Sequence, residues 1–366
     1  MTMGIKTEKI RVCFVSPKAY PIFNPSVESV FGGAEVDLYL LATELAKDDA
    51  FEVRFVVADY GQPDEEQREN VRILKSVNFK QNSLTGAVKI WRALKRAGAD
   101  WIMLETASPG VPLGRVFCRQ YGCRMLYRTA SQRECDGTYI REKPLLGRLF
   151  TRSLKKCDCV VTQNQRDQDL MHNHFGVEST VIPNGHRIPN LAGVDKDSIL
   201  WVGRSAAIKG PGRFIELAAA LPEESFVMVC QKATGDTRYD ALRTAAAKLA
   251  NLRFIERVPF HDIDSCFQSA KVFVNTSDSE GFPNTFIQAC KAGTAILSFG
   301  VNPDYFLDTH RCGVACDFSQ ERMTEQLKKM LNEQRYNELG QHGQEYAAAN
   351  HDIVRIAERY KDIFKG

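Results

Sequence analysis

The residue types and spacings best suited to chemistry stand in Ser277-Asp-Ser-Glu-Gly-Phe-Pro-Asn-Thr-Phe-Ile-Gln-Ala-Cys-Lys-Ala-Gly-Thr-Ala-Ile296. The stretch reads as a strand end, an acidic glycine turn, a proline-started helix and a second strand. Pro283 suits the first helical position, where its missing N–H costs nothing, and the unpaired N–H groups of that first turn face an acceptor-rich or anionic ligand. Glu280 stands just before them. If the helix runs from Pro283, Gln288 lies roughly 8 Å further along its axis at about 1.5 Å per residue. Glu280 and Gln288 therefore cannot act on one bond. They can hold opposite ends of one extended ligand, such as a sugar and the ribose of a nucleotide, unlike the closely facing carboxyl pair of a glycosidase.

Upstream, Ser198-Ile-Leu-Trp-Val-Gly-Arg-Ser-Ala-Ala-Ile-Lys-Gly-Pro-Gly-Arg213 reads as a buried strand that breaks at Gly203 into a turn presenting Arg204 and Lys209 near a helix start. Two cations there suit a diphosphate, since Arg forks onto two oxygens while Lys supplies a mobile point charge. Near the amino terminus, Gly32 and Gly33 precede Glu35 and the apolar pattern Val36, Leu40, Leu41, Leu45. They mark a loop feeding a helix, where glycine lets a backbone approach a phosphate or sugar closely. No Gly-x-Gly-x-x-Gly follows the first strand, which argues against a nicotinamide oxidoreductase.

Taken in order, these segments resemble the retaining nucleotide-sugar glycosyltransferases of the GT-B fold, family GT4. The resemblance extends to Gly32-Gly-Ala-Glu35 and Ile182-Pro-Asn-Gly185, so it covers nearly the whole chain. It implies an α/β protein of two Rossmann-like domains whose parallel sheets face across a cleft. It also implies that Arg204 and Lys209 hold the donor diphosphate and stabilise its charge as it leaves, while Glu280 orients the donor sugar. Gly203, Gly281, Phe282, Pro283, Asn284 and Thr285 would complete the cradle, with Gly32 and Gly33 contributing from the first domain. Glu35 and Ser131 are candidates for the acceptor side. Two departures stand out. Gln288 replaces a second glutamate that usually grips the ribose, and Thr129 or Ser131 stands where many members carry a histidine near the reacting sugar.

The activity implied is transfer of a sugar from a UDP- or GDP-sugar to a hydroxyl of a glycan or lipid-linked glycan, in cell-surface polysaccharide or glycoconjugate biosynthesis. The nucleotide sugar is a co-substrate, and no other cofactor and no metal are expected. Cys157-Asp-Cys159 and His172-Asn-His174 lack the spacing of a zinc site. A sugar-nucleotide epimerase and a catalytically impaired nucleotide-sugar-binding subunit are the alternatives.

The elements that must position these groups follow from length and pattern. A chain of 366 residues exceeds what one core normally serves, and 44% hydrophobic residues support folded domains. Apolar runs at 10–16, 51–58, 101–104, 124–127 and 159–162 alternate with helical stretches, and a second series runs at 199–202, 226–230, 253–256, 271–275 and 295–298. This βα alternation predicts a first domain over 1–185 and a donor domain over 186–350, hinged at Asn184-Gly185. The stretch 351–366, with Ile353, Ile356, Ala357, Tyr360 and Ile363 at helical spacing, would return to the first domain.

A net charge of +3 is too mild for a nucleic-acid partner. Eleven scattered cysteines suit reduced thiols in the cytoplasm, and no run reaches the length of a membrane span. The amphipathic basic segment 141–156 reads first as a helix packed on the core and otherwise as a peripheral contact with the inner face of a membrane. The long loop Pro17 to Phe31 is a candidate acceptor lid.

Overall fold

A computed structural model describes residues 8–27, 29, 31–191, 194–233, 235–259, 262–280 and 282–366. They form two compact units, Met1–His186 with Ile353–Gly366, and Arg187–Asp352.

The first unit is built on eight strands: β1 Ile10–Val15, β2 Phe51–Val57, β3 Glu65–Arg68, β4 Val71–Lys75, β5 Trp101–Glu105, β6 Arg124–Arg128, β7 Cys159–Thr162 and β8 Thr180–Val181. Their order is β3-β4-β2-β1-β5-β6-β7-β8. All neighbours are parallel except β3 and β4, which pair antiparallel at one edge. Every residue of β5 is buried, as expected of a parallel strand covered on both faces. The closing helix Ile353–Lys365 packs here: Phe364 is fully buried, with its ring 5.5 Å from Trp101 and 6.4 Å from Phe51. Trp101 Nε1 donates to the Phe364 carbonyl at 3.1 Å. Phe364, rather than the half-buried Ile363, ends the apolar stripe.

The second unit is a six-stranded, wholly parallel sheet: β9 Ser198–Arg204, β10 Phe226–Gln231, β11 Leu252–Ile255, β12 Ala270–Asn275, β13 Ala295–Ser298 and β14 Gly313–Ala315. The order is β11-β10-β9-β12-β13-β14. Phe214, Phe226 and Met228 fill the core on one face, and Phe267, Phe273 and Phe286 fill the core on the other.

The expected hinge stands beside the division of the units at His186 and Arg187, and two other local expectations need correction. The hinge pair Asn184-Gly185 is packed inside the first unit: the Asn184 amide accepts a hydrogen bond from Arg128, and Gly185 lies against Ile353 so closely that a Cβ would collide with it. Glycine is needed there for that approach, since neither residue has positive φ. The loop after β1 is not wholly a lid, because Tyr20–Phe23 forms a buried helical turn with Phe23 edge-on to Tyr39 and Phe55. Glu28 and Val30 of that loop lie outside the described residues. The segment 141–156 is not one helix either. Helices Thr138–Glu142 and Pro144–Leu154 meet at Lys143, whose φ of −133° and ψ of 73° reflect the exclusion of α geometry before proline.

Candidate functional site

In the second unit, β9 has β10 on one side and β12 on the other, so the strand order reverses between β9 and β12. Loops leaving such neighbours at their carboxyl ends diverge and leave a crevice, the usual ligand position in open α/β sheets. Both candidate segments issue from it. After β9 the chain makes a 3-10 turn, Ala207–Lys209, then turns through Gly210 at φ 56° into helix Pro211–Ala220. A side chain on Gly210 would strike the Thr276 carbonyl, so both the backbone sign and the space demand glycine.

The two loops are laced together. Trp201 Nε1 donates to Thr276 Oγ1 at 2.8 Å, and that hydroxyl donates to the Lys209 carbonyl at 2.7 Å. Asp278 N donates to the Ile208 carbonyl at 2.9 Å. Arg213 stacks 4.1 Å from the Phe299 ring centroid, donates to the Thr276 carbonyl at 2.9 Å and pairs with Asp278 at 2.7 Å.

This lacing brings Lys209 Nζ to 2.7 Å from Glu280 Oε2. Glu280 Oε1 accepts from Asn275 Nδ2 at 2.9 Å and from Ser277 Oγ at 2.5 Å. The carboxylate is therefore held from three directions, and its side chain is only 14% exposed, against 33% for Lys209. An ammonium with three donors and one such partner keeps two for a ligand, and Glu280 Oε2 keeps a free lone pair. Arg204 ends β9 with its side chain exposed and makes no ion pair among the described residues. Gly203 packs on its own strand's Trp201, where an added Cβ would come 2.8 Å from the indole.

Pro283 is not the first helical residue. Helix Asn284–Lys291 begins one position later, and Pro283, with ψ 122°, is its cap. The Pro283 carbonyl accepts from Phe286 N at 2.9 Å, so the proline ends the extended approach to the helix. Phe282 is 39% exposed and sits edge-on to Phe306 at 5.0 Å. Asn284 is exposed, while Thr285 and Gln288 are half-buried. Gly281 lies outside the described residues.

The other candidates belong to the first unit. Gly32 caps helix Gly33–Leu45, and Glu35 accepts from its N–H at 2.7 Å, so that carboxylate holds the helix start. Ser131 is exposed at the cap of the turn Gln132–Glu134. Thr129 is buried. The loop between them is fixed by Glu134, which accepts from Ala107 N at 3.2 Å, Ala130 N at 2.9 Å and Tyr127 Oη at 2.8 Å. Burial pushes the Glu134 carboxyl above its ordinary range against these bonds. Beneath the loop, Arg128 pairs with Glu105 at 2.5 Å and with Asp37 at 3.6 Å, all three buried. With two carboxylates sharing one cation, burial raises the Asp37 pKa to about 6.

Two family models meet end to end on this chain: Glycosyltransferase Family 4 over residues 31–187, and Glycosyl transferases group 1 over residues 186–348. The chain belongs to the GT-B glycosyltransferases of family 4. Lipopolysaccharide glucosyltransferase WaaG of Escherichia coli K12 is 25% identical over 200 residues, covering 51% of this chain. That match spans about half (52%) of the relative's length. Sucrose-phosphate synthase from Thermosynechococcus elongatus shares the fold at a TM-score of 0.74 and 16% identity, with 98% of each chain covered. Anabaena HepE, solved with UDP and glucose, matches at 0.67 and 15% identity, covering 98% of this chain and all of its own.

In this glycosyltransferase the supports of Glu280 escaped the sequence reading. Asn275 ends an apolar strand and Ser277 stands three residues before the acid, a spacing that could have marked both as its holders. Arg128 and Glu105 each close an apolar run with a charge, but their pairing follows from the β5–β6 register, where they stand opposite each other. No cluster of three or more His, Cys, Asp or Glu suited to a metal occurs among the described residues. His172 instead meets Glu178 at 2.8 Å.

Proposed function

We propose that this glycosyltransferase moves a sugar from a UDP- or GDP-sugar to a hydroxyl of a glycan or lipid-linked glycan, with retention of anomeric configuration. The observation that carries the reading is the Lys209–Glu280 pair at the β9/β12 crevice, with Arg204 at the end of the same strand. Arg204 and Lys209 draw electrons toward the departing diphosphate, and stabilising charge as it develops is often the main source of rate enhancement. Glu280, held by Asn275 and Ser277, accepts from a sugar hydroxyl and fixes the ring. Committed to those bonds, it is a poor nucleophile. The glycosidic bond to the diphosphate breaks first, the acceptor oxygen bonds the same face of the oxocarbenium-like sugar, and its proton passes to the diphosphate oxygen that left.

The amide of Gln288 serves the ribose hydroxyls through a neutral hydrogen bond. The UDP and glucose bound by HepE support a uridine diphosphate donor here. The name of WaaG, a lipopolysaccharide glucosyltransferase, supports an acceptor of the cell-surface glycolipid class, met on the cytoplasmic face of the membrane. Helix Pro144–Leu154 fits that encounter: Leu145 and Leu149 are 73% and 44% exposed beside Arg148 and Arg152, while Phe150 and Leu154 are buried. No helix among the described residues is long and apolar enough to cross a membrane.

Nuclear magnetic resonance of the product anomer, with UDP- and GDP-sugars and a truncated glycolipid acceptor, tests the reading. Transfer with the donor's configuration is expected, and Gln288→Glu should lower the donor KM severalfold because a charged acceptor roughly doubles hydrogen-bond strength. Inverted product would overturn retention. Donor binding without transfer to any acceptor would instead identify a binding subunit.

A further inference from the structure

A second basic site lies wholly in the first unit and has no part in the donor grip. At the carboxyl ends of β2 and β4, against helix Ser83–Ala97, an open cavity of about 610 Å³ is lined by five basic and two acidic side chains. Ser76, 6% exposed, lies at its floor with its hydroxyl donating to the Val57 carbonyl at 2.7 Å.

The acids do not cancel the cations. Asp64 is taken by Lys75 at 3.0 Å, which holds its carboxyl below the usual range, and Asp59 accepts from Gly61 N at 3.0 Å within its own turn. Lys95 and Arg96 stand in the last turn of the helix, where the dipole favours cations, and Arg96 also donates to the Lys75 carbonyl at 2.6 Å. Neither explanation covers Lys89 and Arg92. They sit mid-helix, three apart on one face, in a helix with no acidic residue to pair them, and neither makes an ion pair among the described residues. Lys89, Arg92, Lys95 and Arg96 all line the cavity, so the helix gathers positive charge at a concavity.

We propose that this cavity binds a phosphomonoester, with Lys89 and Arg92 gripping the phosphate and Lys95 and Arg96 supplying the surrounding field. Its volume lies in the range of small-molecule sites and leaves room beyond the phosphate for a sugar. The Arg92 guanidinium forks onto two phosphate oxygens and the Lys89 ammonium takes the third.

Titration calorimetry on the full chain, with glucose 6-phosphate, inorganic phosphate and glucose as probes, tests the proposal. Cosedimentation with phosphatidylcholine vesicles, with and without phosphatidylglycerol, runs beside it. Saturable binding of glucose 6-phosphate but not glucose is expected, with inorganic phosphate competing. The Lys89→Gln/Arg92→Gln pair should weaken it about tenfold or more while leaving UDP binding and melting temperature unchanged. That UDP control separates failure here from failure of the donor assignment. No saturable binding of either phosphate, equal binding by the double variant, or retention only on anionic vesicles would overturn the site.

Discussion

At the scale of single residues, the proposed function assigns the Lys209–Glu280 contact to presenting an ammonium and a carboxylate to the donor. Lys209 is one-third exposed, so solvent screens the pair and its stabilising share is on the order of 1 kcal/mol. Lys209→Met and Glu280→Gln should each cut turnover by about 10²–10³ while shifting the melting temperature little. Because each side chain positions the other, the double variant should lose much less than the product of the single losses, as measured by kcat/KM. Multiplying losses would mean that the two act separately. The candidates Arg204, Lys209 and Glu280 stood out by the order and spacing of their segments, since a charge beside glycine after an apolar run is common by itself. Asn275 and Ser277 were not singled out, because a polar residue ending a strand or opening a turn is common.

At the scale of elements, the buried cluster under the Thr129–Ser131 loop makes a pH-dependent support. Asp37, raised by burial from 3.8 to about 6, binds a proton more tightly in the folded than in the unfolded chain. Its contribution to stability is therefore full below pH 4 and is lost as pH rises toward 6, a loss on the order of 1–3 kcal/mol. Asp37→Asn should flatten that part of the urea-denaturation profile and leave Arg128 paired with Glu105 alone. An unchanged slope would assign the proton elsewhere. Element type was readable wherever apolar runs were continuous. Strand β3, Glu-Glu-Gln-Arg over Glu65–Arg68, was not, because an exposed antiparallel edge needs no apolar face. Helix Asn284–Lys291 starts one residue later than its sequence suggests because proline fixes φ but leaves ψ open, and ψ decides whether it caps or enters the helix.

At the scale of the molecule, the chain closes its first unit with its last helix, so residues far apart in sequence share one core. Phe364→Ala removes a fully buried ring from between Trp101 and Phe51 and should cost about 3–5 kcal/mol. Hydrogen exchange should then rise in β1, β2 and β5 while β9 to β14 keep their protection. Uniform loss across both sheets would show that the units do not fold separately. The division into two βα series was evident from spacing alone. The packing of Asn184-Gly185 was not, because the partners that pin it, Arg128 and Ile353, come from distant segments.

The central claim is that a nucleotide diphosphate is held by Arg204 and Lys209 beside Glu280. Calorimetric titration of UDP and GDP into the wild type and into Arg204→Ala and Lys209→Ala tests it most directly. One nucleotide should bind saturably to the wild type, about tenfold or more weaker to each variant, with all three proteins equally folded. Undiminished binding by both variants would contradict the account.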